Sequence, residues 1–324
     1  MTTVKQLFDE SRAASRPTLS FEIFPPKGDL DHRTAREVAG GLAPLGPDFI
    51  SVTYSAGGGG NKHSTNDVAE IIQSDFDTVC VAHLTCAGAT ASSIAASIED
   101  LRAHNIENVL ALRGDIPAGV EPTEFRFAKD LIPTLADAGF CVGAAAYPEG
   151  HIDCIDPKVN IEHLKEKVDA GASFLVTQLF FDNDFFYRFR ERCTSARIYA
   201  PITCGIMPFL SKQQIQRMVF MCGASLPSPI IKLLARYEDD PASLRAAGIE
   251  YACKQLIDLK EHGADGLHVY TMNHPDIARA CTEAIRCAGE RRNRFALRRL
   301  SQWEAEERVV SLCPSKGVFA PRSR

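Results

Sequence analysis

Two carboxylates, an amide and an arginine fall where apolar segments of this chain end: Glu22 in "SFEIFPPK", Arg113 and Asp115 in "LALRGDIP", and Gln178 in "LVTQLFF". Glu22 is the odd one. It lies in a β-prone run with Phe21, Ile23 and Phe24, just before Pro25 and Pro26. An ionised carboxylate in such a setting is costly unless its pKa rises, a cation pairs with it, or it faces a cleft. A carboxyl tuned in this way suits general acid work. A second carboxylate, a neutral amide able to read a heterocycle edge, and an arginine complete a set suited to acid-assisted chemistry on a polar heterocycle. Thr53, Tyr54, His83, Tyr147, Tyr270, Thr271 and Asn273 sit at the ends of similar runs. His83 and Cys86 are close, but no third ligand has metal spacing, so no metal is expected. No activated Ser or Cys–His pattern, Walker motif or strand-end Schiff-base lysine is present. The "SAGGGGN" stretch (55–61) is either a source of backbone N–H groups for phosphate or a plain loop.

The segments that must position these residues alternate in period. Apolar runs of strand length occur at 18–24, 47–54, 78–85, 108–114, 141–147, 173–180, 201–207 and 266–271. Between them lie stretches with helical spacing, such as "HRTAREVAGGLAPL" and "SSIAASIEDLRAHN". Eight near-continuous apolar strands, each followed by a helix, need cover on both faces and predict a (β/α)8 TIM barrel. A doubly wound sheet is the alternative, but no G-x-G-x-x-G follows the first strand. The long interval 208–265 predicts two or three extra helices between strands 7 and 8. Residues 1–287 are expected to form the barrel domain, and 288–324, arginine-rich and then Gly-, Pro- and Ser-rich, a helical or flexible C-terminal extension.

With 324 residues, 45% hydrophobic, the chain can bury a large core, and a formal charge of -5 gives no electrostatic reason to expect nucleic acid or an anionic membrane. No apolar stretch approaches 18 residues and the N-terminus lacks a leader pattern, so a cytoplasmic protein is expected. The eleven cysteines are scattered singly with no C-x-x-C, which predicts reduced core thiols.

Taken in order, "SFEIFPPK", "FISVTYSAGG", "AHLTC", "VLALRGDIP", "AAYPEGH", "KVDAGASFLVTQLFFD", "CGIMP" and "HVYTMN" resemble the methylenetetrahydrofolate reductase family of the bacterial type, over roughly residues 15 to 287. That resemblance implies a barrel that holds FAD without a Rossmann fold. It implies NADH or NADPH as reductant, and a folate substrate that follows it into one pocket in ping-pong fashion. Glu22 falls on the family's general acid, whose apolar flanks would raise its pKa. Asp115 falls on the aspartate beside flavin and pterin, and Gln178 and Gln214 on substrate-contacting glutamines. Flavin contacts carry over to Tyr54, Ala56, His83, Arg113, Gly114, Ala128, Tyr147, His151 and Lys167, with Thr53 nearer the nicotinamide.

Several positions depart from the pattern. Asn160, His163 and Glu166 stand where relatives place Asp, Asn and Arg around the flavin's phosphates and ribose. Met218 replaces an aromatic that stacks on substrate, and His274 an arginine that meets the folate tail. The departures leave two variants, a divergent FAD enzyme or a reductase that is flavin-poor or fed by an electron-delivering partner subunit; a non-catalytic folate- or flavin-binding barrel is the alternative from another class. A homo-oligomer is expected.

Overall fold

The computed structural model describes residues 2–25, 32–54, 62–115 and 124–288, without the side chains of 62–64. Eight parallel strands close into a barrel in chain order: β1 (Thr18–Ile23), β2 (Phe49–Val52), β3 (Cys80–Thr85), β4 (Asn108–Leu112), β5 (Cys141–Ala146), β6 (Phe174–Thr177), β7 (Ile202–Ile206) and β8 (Gly266–Tyr270). β1 pairs with both β2 and β8, which closes the ring. Every predicted strand is present, trimmed by up to three residues at an end where the apolar run continues into a loop.

Period-two alternation sorts the strand residues into two cores. Phe21, Ile23, Ile50, Val52, Ala82, Leu84, Val109, Ala111, Val142, Ala144, Cys204, Ile206, Leu267 and Val269 face outward into the layer beneath the helices. Phe49, Val81, Leu110, Phe174 and Val176 face inward and meet Val4 and Phe8. Those last two belong to α1 (Val4–Ala13), a helix the sequence reading did not anticipate. It plugs the N-terminal end of the barrel: the Val4 N–H donates to Oδ1 of buried Asn108, the first residue of β4, at 2.8 Å. Its start is a reciprocal cap between Thr3 and Gln6.

The helices α2 (His32–Leu42), α3 (Lys62–Phe76), α4 (Ala91–Ala103), α5 (Ala128–Asp137), α6 (Pro157–Asp169) and α7 (Asn183–Ser195) follow strands β1 to β6 in turn. Between β7 and β8 come three helices, α8 (Lys212–Cys222), α9 (Ser228–Arg236) and α10 (Pro241–Glu261), as the long interval predicts. They enclose a separate apolar cluster of Leu179, Phe181, Met207, Phe209, Ile215, Ile230 and Leu244 beside the strand C-termini. A final helix over 275–288 follows β8. The extension expected at 288–324 lies outside the described residues apart from Ala288. Among the described residues no helix is long and apolar enough to cross a membrane.

Candidate active site

With α1 sealing one end, the other end of the barrel opens into a cavity of about 770 Å³. Glu22, Thr53, Tyr54, His83, Arg113, Gly114, Asp115, Tyr147, His151, Gln178 and Tyr270 all line it. These residues come from seven of the eight strands, all but β7, and converge because each sits at or just past the C-terminal end of its strand. A second groove, of about 180 Å³, runs between α5 and α6. It shares Leu112, Arg113, Ala145, Tyr147 and His151 with the mouth and adds Ala128, Asn160, His163 and Lys167. Gln214, Met218 and His274 line neither space. The Gln214 amide turns back on its own loop, accepting from the Leu210 N–H at 2.6 Å; Met218 packs beside the α8–α10 cluster, and His274 is exposed after β8. Ala56 lies outside the described residues.

Glu22 is sheltered differently from the expectation. Its chain neighbours Phe21 and Ile23 point into the outer core, because successive strand residues face opposite sides, so they do not border the carboxylate. What borders it is a pair of imidazoles: Nε2 of His83 and Nε2 of His268 each lie 3.6 Å from Glu22 Oε2. The two ring nitrogens are buried and make no hydrogen bond among the described residues. No lysine or arginine among the described residues comes within ion-pair distance of Glu22. Burial pushes the His83 pKa below its ordinary value against the pull of Glu22, with His268 adding to the drop, so this ring is neutral near pH 7.

His268 is a functional candidate the sequence reading missed. It lies two residues before Tyr270 on β8, the spacing that puts both side chains on the inner face, and that spacing was the available signal. Its Nδ1 sits 2.8 Å from Ser20 Oγ. A hydroxyl proton given to Nδ1 leaves the ring proton on Nε2, aimed at Glu22. Tyr270 reaches across the mouth and donates to the Thr177 carbonyl at 2.6 Å. It can do so because β7 carries Gly205 there: an added Cβ would lie 2.5 Å from the Tyr270 hydroxyl. Burial, then the nearby Glu22 charge, hold the Tyr270 phenol well above its usual range, so it stays a donor.

On the opposite wall the turn after β4 bends at Gly114, with φ +81°, and comes so close that an added Cβ would lie 2.9 Å from Thr85 Cβ. That turn carries Arg113, whose Nη2 is 3.1 Å from Asp153 Oδ2, and exposes Asp115 to the cavity. Gln178 uses Oε1 to accept from the Leu179 N–H at 2.9 Å and has no partner for its NH₂ among the described residues. Met221 and Cys222, from α8, and Ile152 supply an apolar side that the sequence reading did not single out.

In the groove the polar groups are largely committed. Lys129 on α5 reaches Glu166 on α6 at 2.8 Å. Asn160 accepts from the His151 N–H at 2.9 Å and donates to the Cys154 carbonyl at 2.9 Å, so it braces the loop before α6. Lys167 Nζ donates to the Ala145 carbonyl at 2.9 Å and stands 5.2 Å from the Tyr147 ring centre. Burial, then the Arg113 charge, bring its pKa down to about 8.

A closed parallel barrel with a cavity-facing acid beside two buried imidazoles at its C-terminal mouth defines an enzyme of the (β/α)8 class. The family model for methylenetetrahydrofolate reductase matches residues 7–286, and the chain belongs to that family of oxidoreductases. It is 33% identical over 268 residues to 5,10-methylenetetrahydrofolate reductase of Escherichia coli, covering 82% of this chain and 90% of that one. It is 32% identical over 287 residues to methylenetetrahydrofolate reductase (NADH) 1 of Arabidopsis thaliana, covering 83% of this chain and 48% of the relative, so it spans about half the plant protein. Among solved structures, an uncharacterized Clostridium thermocellum protein that binds two copies of 5-methyl-5,6,7,8-tetrahydrofolic acid superposes with a TM-score of 0.55 at 12% identity, covering 86% of this chain and 99% of that one. A Mycobacterium tuberculosis tryptophan synthase chain does so with a TM-score of 0.55 at 14% identity, covering 89% and 98%. Both likenesses show the fold alone.

Proposed function

We propose that this chain reduces 5,10-methylenetetrahydrofolate to 5-methyltetrahydrofolate with NADH or NADPH as electron source and FAD as the carrier between them. Family membership supports the folate reaction. The observation that carries the mechanism is the Glu22 carboxyl, set 3.6 Å from two buried imidazole nitrogens that have no other described partner, facing a cavity of about 770 Å³. Such unspent polar groups are expected where a substrate completes the set.

The residues fit a flavin dinucleotide. The mouth and the groove adjoin, with Arg113, Tyr147 and His151 lining both, and offer one wide space for a flat ring and one narrow space for a nucleotide end. In this assignment Thr53, Tyr54, His83, Gly114 and Asp115 border the ring. Arg113 and Lys167 supply cations for the diphosphate, and Ala128, Asn160 and His163 shape the far end. A flavin held by these residues would supply the hydride carrier between nicotinamide and folate.

The protein's own part is to place and protonate the folate. Glu22 gives its proton to the ring nitrogen whose bond to the bridging carbon breaks; the resulting iminium carbon takes the hydride and becomes the methyl group. The two neighbouring imidazoles border the carboxyl at 3.6 Å, and it regains its proton from water through the open mouth. Gln178, which lines the cavity and has no described partner for its NH₂, reads the amide edge of the pterin and earlier that of the nicotinamide. General acid help of this kind is worth roughly 100- to 10,000-fold.

The pairing of Arg113 with Asp153 and of Lys129 with Glu166 favours a narrower version, in which the flavin is held loosely and exchanges with solution. The free thiols of the ten described cysteines suit a cytoplasmic setting. The test is an anaerobic assay of methylenetetrahydrofolate-dependent NAD(P)H oxidation by the isolated chain, with and without added FAD, followed by product identification. Formation of 5-methyltetrahydrofolate, increased by FAD, is expected. Absence of that product at saturating FAD and folate would remove the reading.

A further inference from the structure

The Glu22 carboxylate makes no hydrogen bond among the described residues; its neighbours stand at 3.6 Å. Its place is therefore set by the main chain that carries it. The regular ladder between β1 and β8 stops at the Glu22–Tyr270 register. Beyond that point, side chains continue the pairing. The Thr271 hydroxyl donates to the Glu22 carbonyl at 2.7 Å. Asn273 then does what a strand residue would do: Oδ1 accepts from the Phe24 N–H at 3.0 Å and Nδ2 donates to the Phe24 carbonyl at 2.9 Å. A planar amide with one acceptor and a donor beside it is the side chain able to imitate a peptide in this way.

The chain is bent to bring that amide into line. Met272 and Asn273 have φ of +54° and +59°, a left-handed conformation that Asn tolerates and Met resists. Two such residues in succession persist only where the surroundings hold them. Here Thr271 Oγ1 accepts from the Asn273 N–H at 3.2 Å and the Thr271 carbonyl from the His274 N–H at 3.0 Å. The clamp does not serve apolar burial, because the Phe24 side chain is 37% exposed. What it fixes is the backbone directly after the acid.

We propose that Asn273 is a positioning residue: its amide, paired with both backbone groups of Phe24, holds Glu22 at the reacting nitrogen of the folate. This rests on the assignment of Glu22 as the acid. Displacements on the order of 1 Å at a reacting group cost up to about 100-fold in rate.

The experiment is anaerobic rapid mixing of the FAD-loaded full chain, following reduction by NAD(P)H and reoxidation by methylenetetrahydrofolate separately. It is run on the parent, Asn273→Ala, Asn273→Asp, Glu22→Gln and the Glu22→Gln/Asn273→Ala double variant. Asn273→Ala is expected to leave reduction unchanged and slow reoxidation roughly 10- to 100-fold. Asn273→Asp, which keeps the acceptor and loses the donor, should fall between. The double variant should be no slower than Glu22→Gln, because two groups acting as one unit do not add. A parent-like folate step in Asn273→Ala, equal loss of both half-reactions, or a further slowing in the double variant overturns the proposal. If Asn273→Ala fails to fold, the Asp variant decides by the same criteria. A Glu22→Gln enzyme with an intact folate step would instead sink the acid assignment.

Discussion

The mouth of the barrel and the groove between α5 and α6 share a wall at Arg113 and Tyr147, yet they hold their polar groups in opposite ways. At the mouth, two buried imidazole nitrogens and the Gln178 NH₂ are left without described partners around a carboxyl. In the groove, each available cation already has an oxygen: Arg113 has Asp153, Lys129 has Glu166, and Lys167 has the Ala145 carbonyl. Groups left unsatisfied in a rigid site are costly to the fold and are ready for a ligand, whereas groups already paired must be released before they bind anything. Under the proposed function, the contrast assigns chemistry to the mouth and adjustable affinity to the groove.

The largest effect that would break this contrast is at His268. Replacing His268 with Gln removes one of the two groups beside Glu22 and should slow folate reduction on the order of 100-fold, the low end for acid–base help, while NAD(P)H-to-quinone activity is retained. Steady-state assays of both activities check this, and an unchanged folate rate would place His268 outside the machinery. Next comes Arg113→Met on the shared wall. Loss of a charge-assisted contact of about 1.5–3 kcal/mol should weaken FAD binding roughly 10- to 100-fold in titration calorimetry.

Smaller, and opposite in sign, is Glu166→Gln, which frees Lys129 for the ligand's phosphates. Half-exposed pairs of this kind are worth about 0.2–1 kcal/mol, so FAD should bind up to about 5-fold tighter, less so at high salt. Weaker binding in that variant would show that the pair braces the groove instead of competing for it.

The smallest is a pH effect at Lys167. Its ammonium is lost as pH rises through about 8, so FAD binding should loosen above that value, and Lys167→Met should abolish the trend. Without ligand the sign reverses: the unfolded chain keeps this proton up to 10.5, so between about 8 and 10.5 it binds more protons than the folded one, and this group makes stability rise with pH. Denaturant melts of parent and Lys167→Met across that window measure the difference.

The barrel was legible in the sequence because parallel strands covered on both faces leave unbroken apolar runs, and eight of them can be counted directly. The mouth was legible in part. Glu22, Arg113, Asp115 and Gln178 stand out as polar residues interrupting those runs. His268 did not, because a histidine inside "GLHVY" reads as a packed core residue until β8 is known to lie next to β1. The shelter of Glu22 was misread for a related reason: Phe21 and Ile23 adjoin it in the chain but occupy the opposite face. The plug α1 escaped notice because its apolar residues, Val4 and Phe8, are few and meet partners from β2, β3, β4 and β6 that no local pattern reveals. In the groove, Glu166 was visible as a lost cation. Its partner Lys129, 37 positions earlier, was not, since nothing local joins the two.

The central claim is that one carboxyl serves the folate half of the reaction and not the hydride uptake that precedes it. Rapid mixing of FAD-loaded Glu22→Gln, with the two half-reactions timed separately, tests this most directly. The account predicts reduction by NAD(P)H at the parent rate and reoxidation by methylenetetrahydrofolate slowed at least about 100-fold. Equal slowing of both halves, or a folate step that proceeds at the parent rate, would contradict it.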